Sequence, residues 1–179
     1  MKSAISLPTD LCIIVTYRCP MQCQMCNIWQ NPTDQHQEIT PMEMERLPKV
    51  KFINITGGEP FVREDLEEII EVAFRKSPRV VISTSGWFEE RIIHLAEKFP
   101  KIGIRISIEG LSLKNDELRG RKGGFDKGLR TLLRLQEMGV KDIGFGITVS
   151  NSNSADMLSL YRLSRSLGME FATAALHNS

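Results

Sequence analysis

Short apolar runs alternate along the chain with longer stretches in which apolar residues recur every three or four positions. Leu11-Cys12-Ile13-Ile14-Val15-Thr16 reads as a buried first strand, and a polar loop follows through Gln37. Thr40-Pro41-Met42-Glu43 has the form of an N-cap with proline at the first helical position, opening a short helix. Phe52–Thr56 is a second strand stopped by Gly57-Gly58. Asp65–Arg75 places Leu66, Ile69, Ile70 and Phe74 at helical spacing. Val80–Thr84 is a third strand, and Glu89–Phe99 a helix whose apolar face is Ile92, Ile93, Leu95 and Ala96. Ile102–Ile108 gives a fourth strand, and Lys114–Lys122 reads as a charged connection. Gly128–Met138 is a leucine-faced helix, Ile143–Val149 the fifth strand, Ala155–Leu167 a helix closed by Gly168, and Phe171–Leu176 the sixth strand.

Six strands alternating with five helices predict an α/β fold with a parallel sheet and right-handed crossovers. Six units fall short of the eight of a closed barrel, so the expectation is an open (β/α)6 partial TIM barrel forming a single domain over residues 1–179. In such a fold, functional loops gather at the C-terminal ends of the strands. Cys19–Cys26, Gly57–Pro60, Thr84–Gly86 and Ser107–Gly110 all fall there.

A formal net charge of +1 gives no reason to expect nucleic acid or an anionic membrane as partner. No apolar run approaches the roughly 20 residues of a membrane span. Met1–Pro8 lacks the apolar stretch of a signal peptide, so the expected location is the cytoplasm, where thiols stay reduced. In that setting the placement of the four cysteines changes the picture. Cys19, Cys23 and Cys26 crowd into eight residues, and none follows Cys26. A disulfide framework would spread its cysteines to close long loops, whereas three thiols in one loop suggest a metal site. Structural zinc takes four closed ligands, and a complete [4Fe–4S] cube usually takes four cysteines. Cys12, within the first strand, reads as a buried core thiol; His36 is the best non-cysteine candidate for a fourth ligand, although a lone loop histidine is more often a surface residue. With neither, one metal position stays open to a small molecule.

Thr56-Gly57-Gly58-Glu59-Pro60 supplies a second signal: two glycines that let backbone approach a ligand and a carboxylate that can accept from an ammonium. Taken alone it could be a simple turn. Cys-x3-Cys-x2-Cys after strand one, paired with Gly-Gly-Glu-Pro after strand two, resembles the radical S-adenosylmethionine (SAM) superfamily, from about Leu11 to Leu176. The similarity is greatest to the branch holding the molybdenum-cofactor cyclase and the peptide-modifying enzymes with auxiliary-cluster (SPASM/twitch) domains. Thr84-Ser85-Gly86 resembles that branch's Thr-Asn-Gly, Ser107-Ile108-Glu109-Gly110 its Ser-Leu-Asp-Gly, and Leu118-Arg119-Gly120 with Gly124-Phe125 its Ile-Arg-Gly…Phe.

The resemblance implies that Cys19, Cys23 and Cys26 ligate three irons of a [4Fe–4S] cluster and that SAM chelates the fourth. It implies that Gly57, Gly58 and Glu59 hold the SAM amino group, Met25 packs near the adenine, and Ser107 and Glu109 sit near the ribose. Thr84 and Arg119 would lie toward the cofactor carboxylate or the substrate. The implied activity is reductive cleavage of SAM to a 5′-deoxyadenosyl radical that abstracts hydrogen from a small-molecule or peptide substrate, with flavodoxin or ferredoxin as electron donor. The competing expectation is a non-catalytic Fe–S or zinc-binding module, which leaves Gly-Gly-Glu-Pro unexplained. Other residues carry two readings: Trp29 as cluster shield or loop anchor, Thr148 as pocket lining or core, Arg63 as ligand contact or helix start, Arg119 as site residue or solvated charge, and Ser107 as site residue or ordinary strand residue. His94 reads as a surface residue, and His177 could face substrate. The chain ends directly after strand six, so a C-terminal segment is expected to be missing.

Overall fold

The computed structural model describes residues 7–176. Residues 1–6, part of the N-terminal expectation, and His177 lie outside them. Six strands pair in parallel in chain order: β1 (Asp10–Ile14), β2 (Phe52–Thr56), β3 (Val80–Thr84), β4 (Gly103–Ser107), β5 (Ile143–Val149) and β6 (Glu170–Ala175). The register runs Cys12 opposite Asn54, Ile55 opposite Ile82, Thr84 opposite Ile106, Ser107 opposite Gly146, and Thr148 opposite Ala174. β1 and β6 end the order unpaired with each other, so the curled sheet is the expected open partial barrel.

The strands' period-two alternation sorts side chains between two unlike faces. Ile13, Ile53, Ile55, Val80, Ile82, Ile104, Ile106 and Phe145 join one buried core under the helices. α2 (Leu66–Lys76) contributes Leu66, Ile69, Ile70 and Ala73; α3 (Glu89–Lys98) contributes Ile92, Leu95 and Ala96. Each of the larger of these side chains, the Ile, Leu, Val and Phe, stabilises by roughly 1.5–3 kcal/mol on burial, against the entropy of ordering it. The opposite face is polar: Asn54, Thr56, Ser83, Arg105, Ser107 and Thr148 line a cavity of about 470 Å³ in the hollow of the sheet. The strand pattern therefore reflects one greasy and one wet face.

Three expectations are corrected. Cys12 is not a core thiol: with Asn54 opposite it, its exposed sulfur receives the Asn54 amide at 3.7 Å. The residue's neighbours in sequence are apolar, but the pleat turns it to the other face. Lys114–Lys122 is not a bare connection. Leu113–Arg119 is a helix, α4, with Asn115, Leu118 and Arg119 buried and Gly120 left-handed at its end. Its charges hide the stripe because so short a helix needs few inward residues. The next helix, α5 (Gly124–Glu137), starts four residues before the expected Gly128, since Asp116 accepts from the Gly123 and Phe125 amides and fixes the turn. Together with α1 (Pro41–Met44), capped by Thr40 as expected, and α6 (Met157–Ser166), the described residues carry six α-helices rather than five.

Candidate active site

β1 hands the chain to the cysteine loop under tight constraint. Thr16, Thr33, Arg18 and Arg63 all donate to the buried carboxylate of Glu38, Arg18 through Nε at 2.9 Å and Nη2 at 2.8 Å. Arg63 also donates to the Val15 carbonyl at 2.6 Å and pairs with Asp65 at 2.6 Å. Arg63 is thus a strut of the loop's base, neither a ligand contact nor a mere helix start. Burial alone would raise the Glu38 pKa; bonds from Arg18, Thr16 and Thr33 outweigh it and hold the group at about 2.

Gly57 and Gly58 make the next contact. The Gly58 amide donates to the Thr16 carbonyl at 2.7 Å, and the Glu59 amide to Arg18 at 2.9 Å. A Cβ on Gly57 would stand 2.3 Å from the Thr16 oxygen, and one on Gly58 2.4 Å from the Arg18 oxygen. The close approach that requires glycine is therefore first to the backbone leading into Cys19. The loop's other side is held by the end of α4: Gln22 donates to the Arg119 carbonyl at 3.1 Å and Gln24 to that of Leu118 at 2.8 Å. Trp29 donates its indole N–H to the Cys23 carbonyl at 3.3 Å, which makes it an anchor of the loop.

The result is a cavity of about 190 Å³ at the C-terminal end of the sheet, lined by Cys19, Cys23 and Cys26 with Gly57, Gly58 and Arg119 among its other walls. Met25, Ser107, Glu109, Trp29 and Thr148 complete the lining that bears on the sequence expectations. Glu59 and Thr84 are not in it. Glu59 is fully buried and its two oxygens accept from the Phe61 amide (3.1 Å), the Thr84 hydroxyl (2.8 Å), the Ser85 amide (2.7 Å) and the Ser85 hydroxyl. Four donors fill the lone-pair sites of a carboxylate. Neither Cys12 nor His36 lines the cavity.

The electrostatics of the cavity are set by burial. Burial pushes the Cys19 thiol up to about 11 and raises that of Cys23 as well, so both are neutral at pH 7 until a cation displaces the proton. Burial also raises the Glu109 carboxyl, against the opposing pull of Arg119 and of the Thr148 amide, which it accepts at 2.8 Å. Arg119 Nη1 lies 3.5 Å from Glu109 Oε1, while its buried Nε has no hydrogen-bond partner. Sequence reasoning missed Asn115, whose side-chain oxygen accepts the Glu109 amide at 2.9 Å, and Glu38; neither lies in a recognisable motif.

Among the described residues no three Cys, His, Asp or Glu side chains already converge on one point as a closed metal site. The donor set nonetheless fits an iron–sulfur cluster with one open corner: three cysteines line one cavity together with Arg119, whose buried Nε has no partner. The sequence profile of the radical SAM superfamily matches residues 13–163. The chain belongs to the radical SAM superfamily. Radical SAM proteins use a [4Fe–4S] cluster and SAM; in this chain Cys19, Cys23 and Cys26 all line the one cavity of about 190 Å³.

Radical SAM relatives resemble it over most of its length. The chain is 32% identical over 161 residues to the Fe-coproporphyrin III synthase of Methanosarcina barkeri, covering 83% of this chain and 39% of that protein. It is 31% identical over 170 residues to the GTP 3′,8-cyclase of Aquifex aeolicus, covering 88% and 53%. It is 28% identical over 158 residues to the sporulation killing factor maturation protein SkfB of Bacillus subtilis, covering 84% and 38%. The chain thus spans two-fifths to about half the length of these relatives. Streptococcus suis SuiB, solved bound to S-adenosylmethionine, shares the fold with a TM-score of 0.80 at 18% identity, over 97% of this chain and 42% of that one. No helix among the described residues is long and apolar enough to cross a membrane.

Proposed function

We propose that this chain is the core of a cytoplasmic radical SAM enzyme that reductively cleaves SAM and passes hydrogen-abstracting reactivity to a substrate in the hollow of the sheet. The supporting observation is the shared lining: Cys19, Cys23, Cys26, Gly57, Gly58 and Arg119, whose buried Nε is unpartnered, all line one cavity. Cys19, Cys23 and Cys26 would hold the cluster. When bound, the reduced cluster supplies the electron that splits SAM into methionine and a 5′-deoxyadenosyl radical.

The chain's own residues bind and orient. The Gly57 and Gly58 backbone accepts from the SAM amino group, while Glu59 acts indirectly by tying the end of β2 to Thr84 and Ser85 at the end of β3. Thr84 has the same positioning role. Arg119, whose Nε is unpartnered, would donate to the SAM carboxylate, Ser107 and Glu109 would stand toward the ribose, and Met25 toward the adenine; all four residues line the cavity. Ser107, Glu109 and Thr148 line both this cavity and the larger hollow, so a substrate held in the hollow would lie next to SAM held in the cavity. Apolar walls of Met21, Met25, Ile28 and Trp29 exclude water from it. The substrate class we favour is a peptide, supported by likeness to SkfB and by the SuiB fold, which has been solved with its precursor peptide.

Anaerobic reconstitution of the protein with iron and sulfide tests the reading. The expected product is brown, holds about four irons, and yields 5′-deoxyadenosine from SAM and dithionite. Colourless, zinc-loaded protein that leaves SAM intact would overturn it in favour of a non-catalytic module.

A further inference from the structure

One turn of α4 grips Glu109 at both of its ends. Asn115 and Arg119 stand four residues apart, so they share a face of the helix, and both are buried. Asn115 Oδ1 accepts the Glu109 amide at 2.9 Å, while Arg119 Nη1 reaches Oε1 of the Glu109 carboxylate at 3.5 Å. From β5 the Thr148 amide donates to Oε2 at 2.8 Å. β4 stops at Ser107, and the last bond across to β5 runs from the Ile108 amide to the Gly146 carbonyl at 2.8 Å. The Glu109 amide has therefore left the sheet, and Asn115 is what ties it down.

Satisfying a buried N–H is one use for that bond. The surroundings give it a second. Among the described residues, Glu109 is the only hydrogen-bond partner of the Arg119 guanidinium, whose buried Nε has none. With that single contact, the direction of the planar fork follows the Glu109 carboxylate. The carboxylate follows its own backbone, which Asn115 fixes. The Arg119 main chain is held separately, because its carbonyl accepts the Gln22 amide at 3.1 Å. The aim of the side chain and the grip of the helix end on the cysteine loop thus rest on different bonds. Asn115 itself does not line the cavity.

We propose that Asn115 is a positioning residue for cofactor binding: through Glu109 it aims the Arg119 Nε–H at the anionic group of SAM. The inference rests on the radical SAM reading above, in which Arg119 meets the SAM carboxylate. Removing the Asn115 oxygen leaves the guanidinium charge in place but frees it to turn, and the order lost must then be restored on binding.

A double-mutant cycle on cluster-loaded protein tests this. Equilibrium SAM binding is measured for wild type, Asn115→Leu, Arg119→Lys and the double variant, with the iron content and urea midpoint of each. Asn115→Ala takes the place of Asn115→Leu should the larger side chain prevent folding. We expect Asn115→Leu to weaken SAM binding about tenfold when Arg119 is present, and by less than about twofold when lysine already stands there. Iron content should match that of the parent in both backgrounds, and the urea midpoint should fall alike in both, because the lost amide bond is common to them. An equal loss of SAM affinity in the two backgrounds would overturn the proposal, since Asn115 would then act without Arg119. Unchanged affinity in Asn115→Leu would overturn it too. Loss of iron in that variant would do the same, by assigning Asn115 to the integrity of the cysteine loop. Wild type that loads iron yet binds no SAM would defeat the radical SAM reading and the proposal with it, whereas failure of the cycle alone leaves that reading standing.

Discussion

Arg119 and Glu109 face each other across the cavity with 3.5 Å between Nη1 and Oε1, and the arginine's Nε is left without an acceptor. A buried, unpaired guanidinium N–H costs free energy unless an anion completes it. Glu109 accepts from the Thr148 amide and from Arg119 Nη1 but not from Nε, so a ligand anion in the cavity is the proposed acceptor for that N–H. Replacing Arg119→Lys keeps a charge but loses the fork. We expect SAM affinity to fall by about 10–100-fold, the equivalent of one charge-assisted bond worth roughly 1.5–3 kcal/mol. Equilibrium binding of SAM to the cluster-loaded variant measures it, and unchanged affinity would remove Arg119 from the cofactor site.

The three loop cysteines and Cys12 should separate sharply. Cys19, Cys23 and Cys26 line the cavity, whereas Cys12 sits on the wet face of β1 beside Asn54. Replacing any of the three by alanine is expected to abolish the brown chromophore and most bound iron. Cys12→Ala should load as wild type does, because its sulfur contributes one weak contact at 3.7 Å. Iron content and visible absorbance after anaerobic reconstitution check both halves.

Most of the fold was legible in the sequence, and the reason is periodicity. A parallel strand buried on both faces, such as Val80–Thr84, leaves a continuous run of branched residues. α4 was illegible because Leu113–Arg119 buries its inward residues amid charges, with no stripe long enough to register. The cavity's cysteines and glycines were legible because their chemistry demands fixed spacing. Glu38, Asn115 and the orientation of Cys12 were not. Their roles arise from contacts between distant segments, such as Arg18 and Arg63 closing on Glu38, which local patterns do not encode. Glu59 shows the intermediate case: the motif identified the residue, but only the packing showed its carboxylate turned to Thr84 and Ser85.

Gly120 carries two burdens at once. Its φ is +63°, a left-handed conformation that costs a side-chain-bearing residue roughly 1–2 kcal/mol, and a Cβ would meet the Gln22 oxygen at 2.6 Å. Gly139 has φ +83° with nothing within 4 Å of the same added atom. Gly139→Ala should therefore show the conformational cost alone. Gly120→Ala should cost more, and should lower iron loading because Gln22 and Gln24 hang on the same helix end. Urea unfolding of both variants with iron analysis separates the two contributions. Equal destabilisation and full iron in Gly120→Ala would show that the helix end does not hold the loop.

Acid should loosen the base of the cysteine loop before it touches the sheet. Glu38 titrates near 2 in the folded protein against an ordinary value near 4.5, because the bonds from Arg18, Thr16 and Thr33 outweigh the burial that would raise it. A carboxylate with a depressed folded pKa contributes its full stabilisation above the unfolded value and loses it as pH falls toward the folded one. The contribution is thus present above about 4.5 and vanishes between there and about 2. The difference corresponds to on the order of 3 kcal/mol. Glu89 and Asp142 are lowered too, chiefly by arginine partners and against burial at Asp142, so wild type has acid sensitivity beyond Glu38. Glu38→Gln is expected to lower the urea midpoint at pH 7 and to make its further decline between about pH 5 and pH 2 shallower than in wild type. With Arg63 left buried against Asp65 alone, the same variant should also load iron poorly at neutral pH. A wild-type-like slope in the acid range, measured by urea titration at several pH values, would show that Glu38 holds no special charge in the fold.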